Sequence, residues 1–268
     1  MADERHIASL RPEQITEQLS ETPVIYIPIG PLEWHGPHLP YGVDPYNAEH
    51  IATRTCARTG GLVWPTQFWG TERERRDEQV ESLGLKGEKY IVGMDFPRHS
   101  LPSAYCPEEV FAILVREVLR EVSTLGARLA VIVNGHGAIN HNLTLHRLAT
   151  EFNHTTNLRV YVRLAFNRAN IEAGNIAHAA ATETSLTMNN HPETVRLEKL
   201  PPPPEPLNYG DFGIVDSGGF MGHGSGHIGP EDDPRTRSSA DKGREYAEQT
   251  TAEIATEVGD LLKGMGRQ

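Results

Sequence analysis

Two short runs rich in β-branched residues, VIYIPI at Val24–Ile29 and LAVIV at Leu129–Val133, each break off into a polar, glycine-bearing turn: Gly30-Pro31 after the first, Asn134-Gly135-His136-Gly137 after the second. Strands that are apolar at every position are buried on both faces, and such strands belong to parallel sheets covered by helices. The intervening segments are helical in pattern. Pro107-Glu108-Glu109 opens a helix that ends at Gly126, with apolar positions at Val110, Ile113, Leu114, Val118, Val122 and Leu125 close to a 3.6-residue period. A second helix is predicted through Leu143 to Phe152 and a long closing one over Ala240 to Leu262. Arg11 to Leu19 reads as a short helix, Leu62 to Trp64 and Leu158 to Leu164 as further strands, and Glu183 to Met188 as a helical turn. Asp44-Pro45 reads as an N-cap followed by proline at the first helical position. The expectation is an α/β fold, a mostly parallel sheet covered by helices in one domain over residues 1–268, with ligands gathered beyond the carboxyl ends of the strands.

Composition removes several function classes. The 36 acidic against 25 basic side chains give a formal charge of −11, which disfavours nucleic acid and anionic membrane as partners. No apolar stretch approaches the ~20 residues that span a bilayer, and MADERHIASL has no signal-peptide core. Cys56 and Cys106 are too few for a disulfide framework, so a reduced, cytoplasmic setting is expected. Neither a dinucleotide G-x-G-x-x-G nor a P-loop pattern is present, and Ser225 in G-S-G lacks the frame of a nucleophile elbow. Thirteen histidines, several beside glycine, point instead to metal chemistry.

Three loci carry that chemistry. The loop after the first strand holds Glu33, His35, His38 and Asp44 within twelve residues. Carboxylate oxygen and imidazole nitrogen are the usual donors to Zn²⁺, Mn²⁺ or Fe²⁺, and an irregular loop converges side chains that a strand would send to opposite faces. Asp44, with two oxygens, could bridge a metal pair; the competing reading makes it a helix cap and leaves Glu33 and His38 facing water. His136 lies directly after a buried strand, between glycines that let the backbone approach another group. In HAAATETS, small residues leave room around His178 and Glu183, although Thr182, Thr184 or Ser185 could equally form a capped helix start with Glu183 in its first turn. His223 and His227, in a Gly-Ser loop, read as solvent-exposed. The irregular stretch Pro65 to Pro107, with a charged run from Glu72 to Glu78 and Arg73, Arg75, Arg76, Arg98 and His99, reads as an active-site rim or as a solvated loop.

Taken together, PIGPLEWHGPHLPYGVD (Pro28 to Asp44), VNGHGAIN (Val133 to Asn140) and HAAATETS (His178 to Ser185) resemble the creatininase, or creatinine amidohydrolase, family, in order and in separation, over roughly Val24 to Leu262. The resemblance implies a parallel α/β fold, a divalent-metal centre of one or two ions per subunit (Zn, Mn or Fe), and a homo-oligomer, frequently a hexamer. By position it makes Glu33, His35, Asp44 and His136 metal ligands, with Asp44 bridging, and His178 the histidine that acts on the proton of the scissile group. Where the family has a second ligating glutamate this chain has Ala138, so either Glu183 supplies the missing ligand or the site holds one metal. Gly137 replaces an aromatic residue, and Ser103-Ala104-Tyr105-Cys106 replaces G-T-[LI]-[ST], departures that point away from creatinine as substrate. The expected function is a metal-dependent hydrolase, with His178 and Glu183 catalytic, in which a metal-activated water attacks a small cyclic amide, formamide or related C–N substrate. The alternatives are ring opening of a cyclic ketone at a C–C bond, as in a keto-inositol, and a non-catalytic metal-binding scaffold.

Overall fold

A computed structural model describes residues 5–82, 90–95, 101–220 and 223–265. Four parallel strands, β1 (Val24–Ile29), β2 (Leu62–Val63), β3 (Leu129–Asn134) and β4 (Arg159–Leu164), form a sheet in the order β2-β1-β3-β4. β1 and β3 pair along their whole length, from Val24 opposite Leu129 to Ile29 opposite Asn134. Every residue of both is buried, which is why neither shows an alternating pattern.

Successive side chains of a strand point to opposite faces, and the two faces fill two cores. On one, Ile25, Ile27, Ile29, Ala130 and Ile132 pack against α1 (Pro12–Glu21), α4 (Glu108–Thr124) and α5 (Ile139–Thr155) through Leu19, Phe111, Val115, Leu119, Leu145 and Phe152. On the other, Val24, Tyr26, Val131 and Val133 meet Ile51 and Cys56 of α2 (Val43–Thr59), Leu186 of α7 (Ala181–Asn190) and Ala247, Ile254 and Val258 of α11 (Ala240–Met265). The result is one three-layer α/β/α domain. α3 (Asp77–Ser82) and α6 (Arg168–Glu172) are short, and α8 (Tyr209–Phe212), α9 (Ser217–Phe220) and α10 (Pro234–Arg237) are single turns in the glycine- and proline-rich layer above the sheet.

The chain leaves β1 toward β2 through α2, then crosses back over the opposite face through α4 to place β3 on the other side of β1. Right-handed crossovers require that change of face. It opens a crevice between the carboxyl ends of β1 and β3, where an open α/β sheet binds its ligands.

Three local expectations need correction. α4 turns Phe111, Ala112, Val115, Leu119 and Val122 inward, while Val110, Ile113 and Leu125 are 40%, 55% and 39% exposed. The helix carries two apolar stripes, and a 3.6-residue period fits either one. Asp44 is not an N-cap: α2 starts two residues earlier than expected, at Val43, with Gly42 as its cap and Asp44 inside the first turn. α7 runs for ten residues, longer than a turn, and neither Thr182, Thr184 nor Ser185 caps it. Arg98 and His99 lie outside the described residues.

Candidate metal centre

The crevice is built by close approach. A Cβ on Gly30, just past β1, would lie 2.6 Å from the Asp44 Cβ, and one on Gly135, just past β3, 2.1 Å from the Asp44 carbonyl oxygen. With glycine at both strand ends, the first turn of α2 seats Asp44 directly over the β1/β3 gap. Gly137 meets nothing, so only the first of the two glycines around His136 serves an approach. Asn134 fixes the His136 turn, its Oδ1 accepting the His136 N–H at 2.9 Å and its Nδ2 donating to the His136 carbonyl at 2.7 Å.

The five residues expected as ligands converge there, all buried. His136 Nδ1 lies 3.0 Å from Glu33 Oε2 and 3.0 Å from Asp44 Oδ2. His35 Nε2 lies 3.2 Å from Asp44 Oδ1 and 3.6 Å from Glu183 Oε2. The two oxygens of Asp44 therefore face two different imidazoles. Two three-residue groups share Asp44, Glu33/Asp44/His136 and His35/Asp44/Glu183, and in each the donor atoms lie within 4.8 Å of one another; Glu33, His35 and His178 form a third such group.

His178 sits beside this cluster. Its ring stacks on His35 with centroids 4.4 Å apart, its Nε2–H donates to the Trp34 carbonyl at 2.7 Å, and its Nδ1 is turned toward Glu33 Oε1 at 4.0 Å. The next residue, Ala179, holds φ +56°, a region unfavourable for a residue with a Cβ. Glu183 reaches back to accept the Ala179 N–H at 2.7 Å, so one carboxylate both clamps that strained turn and faces His35.

Burial opposes every charge in this pocket, and the charges answer one another. Burial would lower His35, but Asp44 and Glu183 hold it up to about 10. His136 is likewise held well above the usual range by Glu33 and Asp44, against burial. Glu33 and Asp44 stay below the usual carboxylate range despite burial, because of His136 and His35. Glu183 is raised to about 7 by burial, and His178 is pushed down to about 4 by burial and the neighbouring His35.

This donor set fits a divalent cation. His35 Nδ1–H donates to the Glu33 carbonyl at 3.0 Å, so in the neutral ring the lone pair at Nε2 points at Asp44 and Glu183. That buried nitrogen has no hydrogen-bond partner, and three carboxylates, Glu33, Asp44 and Glu183, stand within reach of it or of His136. A cation would supply positive charge to answer them.

The creatininase family model, described as creatinine amidohydrolase, matches residues 8–258. The chain belongs to the creatininase family. It is 32% identical over 187 residues to the mycofactocin precursor peptide peptidase of Mycobacterium ulcerans (strain Agy99), covering 69% of this chain and 66% of that protein, just under two thirds of its length. It is 24% identical over 275 residues to the 3-dehydro-scyllo-inosose hydrolase of Thermotoga maritima, covering 94% of this chain and 81% of that one. Among solved structures, a creatinine amidohydrolase superimposes with a TM-score of 0.67 at 20% identity, over 96% of this chain and 97% of that one. Similar creatininase structures are described with manganese and with a zinc pair. Two of these relatives are named as a peptidase and a hydrolase, and the buried pocket of this chain holds three donor groups that could bind a metal ion.

Other residues lie elsewhere than expected or carry no local mark. His38 neither faces water nor joins a donor group; it is buried, with Nε2 3.0 Å from Thr184 Oγ1. His223 and His227 are exposed, as read. Arg73 and Arg76 are exposed, and Arg75 donates to the Val92 carbonyl at 2.8 Å. Two residues of the rim reach the centre unannounced: Tyr105, whose hydroxyl donates to Glu33 Oε1 at 2.5 Å, and Glu72, buried 3.8 Å from His136 Nε2. The one sequence signal for Glu72 is that it opens the charged run; for Tyr105 it is that it falls in a departure from the family pattern. Among the described residues no helix is long and apolar enough to cross a membrane, and Cys56 and Cys106 are free.

Proposed function

We propose that this chain hydrolyses a C–N bond at the carbonyl of a small cyclic amide, formamide or related compound, with two divalent ions held by donor sets that share Asp44. The observation that carries this reading is the division of the Asp44 carboxylate, Oδ1 toward His35 at 3.2 Å and Oδ2 toward His136 at 3.0 Å. Glu33 and His136 would complete one set, His35 and Glu183 the other. Bound there, a divalent cation acts as a Lewis acid on a carbonyl and makes water more acidic at neutral pH.

The residues divide the remaining work. Held neutral, with Nε2 engaged by the Trp34 carbonyl, His178 presents Nδ1 to the pocket as a base. It takes a proton from water as the oxygen bonds to the carbonyl carbon, then returns that proton to the leaving nitrogen as the C–N bond breaks. Tyr105 steadies Glu33 through its hydroxyl, and Trp34, whose carbonyl holds His178, is itself pinned by its Nε1–H to the Phe212 carbonyl at 3.0 Å.

A second reading is supported by the relative matched over 94% of this chain, which is named for an inosose. Water, giving a proton to His178, would add to a ring ketone; the adjacent C–C bond would then break, its electron pair passing to a carbon stabilised as the enolate of a second ring carbonyl, and His178 would return the proton to that carbon. The family resemblance adds a homo-oligomer, a hexamer by analogy, which chromatography with light scattering tests, and the two free cysteines support a reduced, cytoplasmic setting. The deciding experiment loads the protein with zinc or manganese, counts the bound ions, and screens amides, formamides and cyclic ketones with products identified by mass. Two ions per chain, with metal-dependent conversion of a cyclic amide to a ring-opened product one water heavier or of a formamide to formate and an amine, support the first reading. Ketone opening supports the second, metal binding without turnover of any of these compounds supports the non-catalytic scaffold, and a stable protein that binds no metal overturns the metal-centre reading.

A further inference from the structure

The two ring nitrogens of His136 face different surroundings. Nδ1 looks into the donor set, 3.0 Å from Glu33 Oε2 and Asp44 Oδ2. Nε2 points away from it, buried and without a hydrogen-bond partner, toward Glu72 Oε2 at 3.8 Å. A neutral imidazole has one lone pair and one N–H, so a ring that offers its Nδ1 lone pair to a cation must carry its proton on Nε2 and needs an acceptor there. His35 solves the same problem with a backbone carbonyl, that of Glu33.

Glu72 is anchored as such an acceptor would be. It is 8% exposed although it stands in a charged run. Its Oε1 accepts the Arg73 N–H at 2.8 Å, which turns Oε2 inward. Its main-chain carbonyl accepts from Asn140 Nδ2 at 2.8 Å, in the first turn of α5 and four residues past His136, so the rim is tied to the turn that carries the imidazole. A Cβ on Gly93 would lie 2.8 Å from Glu72 Cγ and 2.5 Å from the Tyr105 hydroxyl. A side chain at Gly93 would therefore crowd Glu72, and glycine there leaves the Glu72 side chain its place.

We infer that Glu72 is a positioning residue, whose carboxylate accepts the Nε2–H of His136 and so commits Nδ1 to the cation. The inference rests on the metal-centre reading above. At 3.8 Å the pair is too far apart for a hydrogen bond, and closing it takes a movement of roughly 1 Å in a surface-derived loop. Carboxylate partners of this kind hold the tautomer and orientation of a ligating imidazole, and their removal typically weakens metal binding about 10- to 100-fold.

The test uses zinc alone as probe, with chelator competition for affinity and ¹⁵N NMR of the zinc-loaded full chain for the His136 ring. The wild-type ring should show zinc on Nδ1 and a slowly exchanging proton on Nε2. Glu72→Gln and Glu72→Ala should lower zinc affinity roughly 10- to 100-fold and shift or lose that proton signal, with Glu72→Asp recovering part of both. Zinc on Nε2, or unchanged affinity and proton signal in Glu72→Gln and Glu72→Ala, overturns the inference. Glu33→Gln serves as the control: if it binds zinc as the wild type does, the metal-centre reading itself fails, a result separate from the behaviour of Glu72.

Discussion

At the scale of single residues, the same buried pocket gives different side chains different work. Asp44 touches both imidazoles, so Asp44→Asn should lose zinc or manganese from both donor sets and abolish metal-dependent turnover, read by metal content after gel filtration. His178→Ala should separate the roles, with turnover falling about 10²- to 10⁴-fold while metal content stays at the wild-type level. Loss of metal in that variant would make His178 a ligand. A third test lies away from the site. His50 is pushed down to about 4 by burial, with Arg54 and His191 adding to the effect, against 6.5 for an ordinary imidazole. Its folded value is the lower one, so below pH 6.5 the unfolded chain binds a proton that the folded chain refuses. Stability should fall between pH 6.5 and about 4, and the urea midpoint of His50→Gln should fall less over that window.

At the scale of elements, the centre depends on how tightly α2 sits against two strand ends. A methyl group at Gly135 would collide with the Asp44 carbonyl, so Gly135→Ala should cost at least the 1–3 kcal/mol typical of overpacking and should also weaken metal binding by displacing Asp44. Denaturant midpoints and chelator competition report the two effects separately. α4 offers a sharper contrast. Phe111 is fully buried against the sheet and Ile113 is 55% exposed, so Phe111→Ala should destabilise by about 3–5 kcal/mol while Ile113→Ala stays within about 0.5 kcal/mol. A larger loss in Ile113→Ala than in Phe111→Ala would mean that the helix presents its other stripe to the core.

For the whole molecule, the fold and the cation are coupled. Three acidic side chains and two imidazoles are buried together in one crevice, and a cation that binds them only in the folded state stabilises the fold. Zinc or manganese at about 100 times its dissociation constant should add roughly 2.7 kcal/mol for each site, or about 5–10 °C in Tm for a chain of this size. Chelator should reverse the shift. A melting temperature indifferent to both would be incompatible with a cation held by Glu33, Asp44 and His136.

The strands and the three motif loci were legible in the primary structure because their causes are local. β1 is apolar throughout and β3 at every position but its last, Asn134, and donor-type side chains stand on loops that directly follow them. Those properties set a parallel, helix-covered sheet with chemistry at the carboxyl ends of its strands, and they singled out Glu33, His35, Asp44, His136, His178 and Glu183. What depended on distance in space was not legible. Which stripe of α4 turns inward is decided by the sheet it meets, and His38 binds Thr184 because α7 folds over its loop. The division of Asp44 between two imidazoles, and the arrival of Glu72 behind His136, follow from the crossing between β2 and β3, which brings residues dozens of positions apart within a few ångströms. Periodicity and residue type act over a few neighbours along the chain, whereas the geometry of a donor set is the product of packing between elements, and only the folded molecule contains it.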